Sequence, residues 1–207
     1  MKRYKTEQED FWNGKFGDEY IERNQGSKAL ASKIHIFSDV FTYTQGVASC
    51  LELGANIGLN LKAIKSLIPQ ATVGGVEINQ KAANECRKIE GVEVFEQSIL
   101  DFKSEKRWDF TFTAGVLIHI NPDCLENVYD ILYEHSNKYI CLTEYYNPTP
   151  VEVSYRGNEK RLFKRDFAGE IMDRYPDLKL LKYGFIYHRD YNFPGDDLTW
   201  FLMEKKK

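Results

Sequence analysis

The sequence predicts an α/β domain built on a seven-stranded sheet, with helices on both faces. Between residues 47 and 144, five short apolar segments alternate with helix-patterned segments, which is typical of βαβ units and a parallel sheet. A glycine-containing turn joins the first of these strands directly to a helix. Two further strand segments near the carboxyl end are joined by a turn-rich connection that has no room for a crossover helix. We therefore expect five parallel strands followed by an antiparallel hairpin.

Each element follows from a local pattern. Apolar residues at helical spacing, such as Leu125, Val128 and Leu132, indicate helices, and Pro69 ends one of them. The segment 145–164 contains NPTP and mixed charges, and it is predicted to be a loop. The predicted strands are 47–53, 72–78, 92–95, 108–114, 138–144, 178–188 and 198–204. The predicted helices are 27–45, 58–68, 80–88, 122–136 and 165–175.

These elements fit one domain, 1–207, without internal repeats. Within it, 1–45 would form an amino-terminal cap or lid and a helix, and 46–144 the ligand-binding core. The segment 145–165 would be an insertion on the substrate side, and 166–207 the last helix and the hairpin.

Composition excludes several classes of protein. The net charge is −3, whereas general nucleic-acid binding needs a basic surface. No run approaches the ~20 apolar residues of a membrane span, and the first residues do not form a signal peptide. The four cysteines are not at metal-ligand spacing. We therefore expect a cytoplasmic protein without a metal, a nucleic-acid partner or a membrane partner.

The stretch 47–58, VASCLELGANIG, carries the most chemical information. A glycine turn at the start of a helix brings the backbone close to a ligand. Glu52 precedes the first glycine, whereas a dinucleotide loop reads G-x-G-x-x-G and has its acid about 20 residues later. A carboxylate beside the loop repels phosphate and suits a ligand with an ammonium or sulfonium centre and sugar hydroxyls. This argues against an NAD-dependent oxidoreductase.

Four regions together resemble the class I S-adenosylmethionine-dependent methyltransferases, which have a Rossmann-like fold. They are ELGANIG (52–58), GVEIN (75–79), QSILDF (97–102) and DFTFTAGVLIHINP (109–122). The segments 6–24 and 143–170 further resemble the methylases associated with pseudaminic acid biosynthesis. That family name records genomic association, so it leaves the acceptor open.

The resemblance implies S-adenosylmethionine as cofactor and assigns residues to its parts. Glu77 would accept hydrogen bonds from the ribose hydroxyls, and Ser98 and Ile99 would flank the adenine, although many relatives have Asp in place of Ser98. Ala114 and Gly115 would contact the methionine portion. Tyr20, Arg23 or Asn24 would hold the carboxylate of the methionine portion. The other residues expected to bind the cofactor are Glu52, Gly54, Asn56, Gly58, Ile78 and Leu117. Trp12, Phe16 and Tyr20 would form a lid that excludes water, or else an aromatic cap docked on the core.

A second group of residues is expected to bind the methyl acceptor or to act on it. His119 is either a general base or a structural histidine, and Glu144 and Tyr145 are further catalytic candidates at the end of the fifth strand. Tyr146, Tyr155 and Arg156 are expected to bind the substrate. The basic residues Arg156, Lys160, Arg161 and Lys164 suit an anionic acceptor, although a solvated loop explains them as well.

The sequence therefore predicts an enzyme that methylates an oxygen or nitrogen of a small molecule, such as a nucleotide-linked or acidic sugar of the pseudaminic-acid type. The alternative is a non-catalytic module or partner subunit that binds S-adenosylmethionine.

Overall fold

A computed structural model describes residues 4–21 and 26–206. Its strands are β1 (Ser49–Leu53), β2 (Thr72–Glu77), β3 (Val92–Glu96), β4 (Trp108–Ala114), β5 (Ser136–Glu144), β6 (Val151–Tyr155), β7 (Asn158–Lys164), β8 (Leu178–Ile186) and β9 (Leu198–Lys205). Its helices are α1 (Glu7–Asn13), α2 (Lys15–Tyr20), α3 (Ser27–Phe41), α4 (Leu59–Leu67), α5 (Gln80–Cys86), α6 (Leu125–Glu134) and α7 (Phe167–Arg174). Short 3-10 turns span Ile99–Asp101, Leu117–His119 and Pro122–Cys124.

The central sheet has the strand order β3-β2-β1-β4-β5-β9-β8. Strands β1 to β5 run parallel, and β9 pairs antiparallel with both β5 and β8. This confirms the predicted fold class. The chain winds outward from β1 in one direction and from β4 in the other, which opens a crevice at the carboxyl ends of these two strands.

Helices cover both faces of the sheet, so the inner strands are buried on both sides. On one face, Leu51 and Leu53 of β1 pack with α6 and α7. On the other face, Cys50 packs with α3 and α4. Burial on both faces explains why the parallel strands are continuous apolar runs. Within the described residues, no helix is both long and apolar enough to cross a membrane.

The prediction of a loop over 145–164 was wrong, because β6 and β7 form a separate antiparallel hairpin there. The connecting residues Arg156 and Gly157 both have positive φ angles, 50° and 81°, which suit a tight hairpin turn. The alternation of Val151, Val153 and Tyr155 was the available signal, but NPTP and the surrounding charges obscured it. Boundaries also differ elsewhere: the predicted helix 27–45 ends at Phe41, and 122–136 is a 3-10 turn followed by α6.

Candidate active site

A cleft lies at the carboxyl ends of β1, β2 and β4, beneath α1 and α2. It brings together most of the residues that the sequence predicted for cofactor and acceptor. The predicted residues that line it are Tyr20, Glu52, Gly54, Asn56, Glu77, Ile78, Ser98, Ile99, Ala114, Gly115, His119, Tyr145 and Tyr155.

Other predicted residues lie elsewhere. Gly58 and Glu144 do not line the cleft. The Leu117 side chain is fully buried in the core beside α6. Tyr146 lines a second, adjoining cavity. Arg156 is exposed at the hairpin turn, over the Tyr155 ring. Asn24, like Arg23, falls outside the described residues.

The two glycines of the loop each allow the backbone to pass close to a neighbouring side chain. Gly54 has a φ of 80°, and a Cβ there would stand 2.6 Å from Cγ2 of Val116. Gly58 has a φ of 79°, and its Cβ would stand 2.6 Å from Sγ of Cys86 in α5. Such distances exclude a side chain without movement of the neighbours. The loop therefore passes directly against the β4 end and lets α4 start close to α5.

Glu77 is oriented by the backbone of two loops. Its carboxylate accepts hydrogen bonds from the amide nitrogens of Asn56 and Asn79, each at 2.7 Å. Burial raises the pKa of this carboxyl, while the backbone amides oppose that rise. A carboxylate oxygen can accept more than one hydrogen bond. Glu77 therefore retains acceptor capacity toward the cleft, in a fixed orientation suited to a pair of hydroxyls.

Glu52 is the second buried acid of the cleft. Its Oε1 accepts from Nδ2 of Asn60 at 2.6 Å. Burial raises its pKa to about 8, opposed by the Asn60 hydrogen bond and the positive charge of Lys33. Within the described chain, three enclosed acceptors around the loop have no donor: Glu52 Oε2, Asn56 Oδ1 and Asn60 Oδ1. A ligand rich in hydroxyl and ammonium donors fits this lining, whereas phosphate does not.

The lid supplies a carboxylate beside Ser98. The Ser98 hydroxyl donates to Oε1 of Glu9 in α1 and accepts from the amide of Leu100 at 3.1 Å. The other oxygen of Glu9 accepts from the amide of Thr6 at 2.8 Å, in a capping box. Glu9 was not predicted. It places an acid where the sequence lacks the Asp of many relatives.

Polar contacts hold α1 and α2 over the cleft. Nδ2 of Asn79 donates to the Trp12 carbonyl at 3.2 Å and to Oδ1 of Asp18 at 3.0 Å. At Gly17, within α2, a Cβ would stand 1.7 Å from the Trp12 carbonyl oxygen, so α2 needs glycine at this position to pack against the end of α1. In this arrangement, the ring centroids of Trp12 and His119 are 4.7 Å apart.

His119 is held in one tautomer. Its Nδ1 lies 2.5 Å from the carbonyl oxygen of Arg161. Because a carbonyl only accepts, Nδ1 carries the hydrogen, and Nε2 of the neutral ring keeps its lone pair. Burial lowers the pKa to about 4. The ring therefore stays neutral at physiological pH, flanked by Trp12 and by Tyr155 at a centroid distance of 4.9 Å.

Glu144 holds the loop that leads to His119. Its carboxylate accepts from the amides of Val116 at 3.0 Å, Leu117 at 3.2 Å and Ile118 at 3.4 Å. Burial raises its pKa to about 7, and these amides oppose the rise. Since the carboxylate lies beneath this loop and does not line the cleft, the geometry supports a positioning role for Glu144 in place of the predicted catalytic one.

A second cavity opens beyond the cleft, between the β6–β7 hairpin and the β8–β9 edge. Tyr145, Tyr155 and Asp196 line both spaces. The remaining lining residues are Tyr146, Val153, Leu162, Lys164, Phe185, Asp197 and Thr199.

Most of the basic residues predicted to bind an anionic acceptor do not line this cavity. Lys164 alone among the four lines it, with Nζ 4.7 Å from the centre of the Tyr145 ring. Arg161 pairs with Glu7 of the lid at 3.3 Å, and Arg156 and Lys160 are exposed.

Sequence reasoning missed several lining residues. Asn60 could have been found, since it lies in the first turn of the helix that follows the glycine loop. Lys33 of α3 and Asp196 of the β8–β9 connection also line the cleft. No local pattern distinguishes them from other surface charges, because only the packing of distant segments brings them to the cleft.

No protein-family model and no curated protein matches the sequence. Solved structures do match the fold over nearly the whole chain. The plantazolicin methyltransferase BpumL in complex with SAH is 14% identical, with a TM-score of 0.66, over 97% of this chain and 94% of that one. Magnesium protoporphyrin IX methyltransferase (ChlM) from Synechocystis PCC 6803, with bound SAH, is 13% identical, with a TM-score of 0.68, over 96% and 97%.

A third similar structure is SAM-bound CalS10, an amino pentose methyltransferase from Micromonospora echinaspora involved in calicheamicin biosynthesis. It is 10% identical to this chain, with a TM-score of 0.65, over 92% of this chain and 96% of that one. Together these likenesses establish the architecture: the chain has the fold of class I S-adenosylmethionine-dependent methyltransferases.

Proposed function

We propose that this protein is an S-adenosylmethionine-dependent methyltransferase that acts on a small molecule. The observation that carries the proposal is the pair of buried acids, Glu52 and Glu77, around a glycine loop. The other enclosed side-chain acceptors of this loop, Asn56 Oδ1 and Asn60 Oδ1, have no donor among the described residues. This lining suits hydroxyls and positive charge. The fold and the SAM or SAH bound to similar structures also support it. When bound, the cofactor would supply an activated methyl group.

The residues of the chain would bind and orient that cofactor. Glu77 would accept from the ribose hydroxyls, and charge-assisted hydrogen bonds of this kind contribute about 1.5–3 kcal/mol each when buried. Ser98 and Glu9 would form the polar side of the adenine site. Ala114 and Gly115 would contact the methionine portion, and Trp12 of the lid would exclude water.

His119 would act on the acceptor. Its Nδ1–H is engaged by the Arg161 carbonyl, so Nε2 is the atom that would take a proton from an acceptor hydroxyl or amine. The variant His119→Asn tests this role. An Asn amide can still donate to the carbonyl but has no basic nitrogen in the place of Nε2. We expect kcat to fall by about 10²–10⁴-fold, with unchanged affinity for S-adenosylhomocysteine.

The acceptor is proposed to be a sugar-type small molecule, methylated at oxygen or nitrogen. The sequence resemblance to pseudaminic-acid-associated methylases supports this class, and one similar structure is an amino pentose methyltransferase. A nucleotide-linked or acidic sugar would meet Lys164 in the second cavity, but Asp196 and Asp197 line the same space. The balance of charge there favours neutral or amine-bearing sugars over strongly anionic ones.

Calorimetric titration with S-adenosylhomocysteine is the first test. We expect binding by the wild type and at least about tenfold weaker binding by Glu77→Ala, since a buried charge-assisted contact is lost. Glu93→Ala, an exposed acid on β3, is the matched control. Absence of binding to folded wild-type protein would refute the cofactor assignment, and equal affinities of wild type and Glu77→Ala would refute the ribose contact.

The acceptor is identified by incubating the enzyme and S-adenosylmethionine with a panel of sugars and following methylated products by mass spectrometry. The panel pairs amino sugars and neutral sugars with their nucleotide-linked and carboxylated counterparts. Methylation of a sugar supports the proposed activity. Cofactor binding without any product across the panel would favour the alternative of a non-catalytic binding module.

A further inference from the structure

Lys33 is a positive charge inside a cleft otherwise lined by neutral and acidic side chains. Among the described residues that line the cleft, it is the only Lys or Arg. It is half-buried, and its ammonium makes no hydrogen bond or ion pair with the described part of the chain. Burial lowers its pKa, while the nearby charges of Asp196 and Glu52 raise it. A desolvated cation of this kind is costly unless an anion meets it.

The position of Lys33 follows from the packing of α3 on the sheet. Phe37, one helical turn later on the same face, packs against Phe112 at a centroid distance of 5.2 Å. Phe112 pairs in register with Glu52 of β1. Residues four apart on a helix lie about one turn, or ~5.4 Å, from each other. Lys33 therefore reaches the cleft at the end of β1, next to Glu52.

The order of the strands indicates which end of an extended ligand would lie beside Lys33. Adjacent strands are about 4.8 Å apart, and along the sheet edge Ser98 follows β3, Glu77 ends β2 and Glu52 lies in β1. A nucleoside with its base near Ser98 and its ribose on Glu77 carries its 5′ substituent toward β1 and β4. This is where Lys33 and Asp196 line the cleft together.

An α-amino acid head group is the ligand chemistry that matches this end. It carries a carboxylate and an ammonium side by side, and the cleft presents one cation, Lys33, near two acids, Glu52 and Asp196. A phosphate would gain Lys33 but would also face the acids Glu52 and Asp196, and ionisation of either acid would repel it. A neutral substituent would leave the Lys33 ammonium without a partner.

We propose that Lys33 binds the α-carboxylate of the methionine portion of the cofactor, with the acids beside it accepting from the α-ammonium. This inference rests on the proposed cofactor. It adds Lys33, a residue of α3 that no sequence motif marked, to the carboxylate ligands Tyr20, Arg23 or Asn24 expected from the sequence.

The test compares two ligands that differ only at that end. S-adenosylhomocysteine carries the amino acid head, whereas 5′-methylthioadenosine keeps the adenine, the ribose and the thioether and lacks it. For Lys33→Met, we expect calorimetry to show at least about tenfold weaker binding of S-adenosylhomocysteine. Binding of 5′-methylthioadenosine should change less than about twofold, because this ligand has no carboxylate for Lys33 to contact. Lys33→Arg should retain most of the affinity for S-adenosylhomocysteine.

Lys28→Met is the control, because Lys28 is exposed on the same helix and does not line the cleft. It should bind both ligands as the wild type does. If Lys33→Met loses both ligands equally, or loses neither, the carboxylate contact is refuted while the cofactor assignment stands. If the folded wild type binds neither ligand, the proposed function itself fails. Retained binding of 5′-methylthioadenosine also shows that the variant is folded.

Discussion

Replacement of Gly54 by Ala tests the geometry of the glycine loop. Two costs add at this position. A residue with a side chain at a φ of 80° is strained by about 1–2 kcal/mol. Its Cβ would also stand 2.6 Å from Cγ2 and 3.0 Å from Cγ1 of Val116, and overpacking of this kind costs about 1–3 kcal/mol. We expect Gly54→Ala to lower the free energy of unfolding by about 2–5 kcal/mol, measured by urea denaturation without ligand.

Gly115→Ala separates the two costs. Gly115 has a φ of 69°, but a Cβ there meets no atom within 4 Å. This variant should lose only the ~1–2 kcal/mol of backbone strain. The clash is isolated by a double-mutant cycle with Val116→Ala, in which we expect the pair of changes to be less damaging than the sum by about 1–3 kcal/mol. Equal losses for the two glycine variants, together with no coupling between positions 54 and 116, would show that the close approach to Val116 is absent.

Three further predictions concern the buried ionisable groups. Burial raises the pKa of Glu52 from its ordinary 4.5 to about 8, so the folded state keeps a proton that the unfolded state releases, and stability falls as pH rises through this window. In Glu52→Gln, the midpoint of urea denaturation should no longer fall for this reason between pH 5 and 8. The pKa of His119 is lowered from 6.5 to about 4, so stability should fall as pH drops through that range in the wild type, and His119→Asn should flatten the curve. Glu144→Gln places an amide NH₂ against the amides of Val116 and Leu117, which should cost about 1–3 kcal/mol of unfolding free energy by urea denaturation. An unchanged midpoint for this variant would argue that Glu144 does not hold the loop.

Local patterns were sufficient for the central sheet and for most of the residues that line the cleft. Alternating strand and helix segments determine a parallel sheet, because each apolar strand must be covered on both faces. In such a sheet, residues that end neighbouring strands meet at one edge, so Glu77, Ser98 and Ala114 could be placed together from their positions in the chain. The place of the acid in ELGANIG predicts, from the sequence alone, that this loop does not bind phosphate.

The β6–β7 hairpin illustrates where the sequence was insufficient. Its alternation was visible, but the direction in which its basic side chains point depends on how the hairpin docks. The structure turns Arg161 toward Glu7 and leaves Lys164 as the member of the basic group that faces the second cavity. The argument from basic residues to an anionic acceptor therefore loses most of its support.

The sequence by itself determined the sheet, the glycine loop and the acids that flank it, because hydrophobic period, turn residues and strand ends are properties of neighbouring residues. Only the tertiary structure decided which distant charges meet in the cleft. Glu9 reaches Ser98 because a lid folds over the sheet edge, Glu144 lies beneath a loop of the neighbouring strand, and Lys33 enters because α3 packs on β1 and β4. The two hydrogen-bonded pairs, Glu9 with Ser98 and Glu144 with Val116, are 89 and 28 residues apart in the chain. Packing across the whole domain brings such residues together, and no local pattern encodes it.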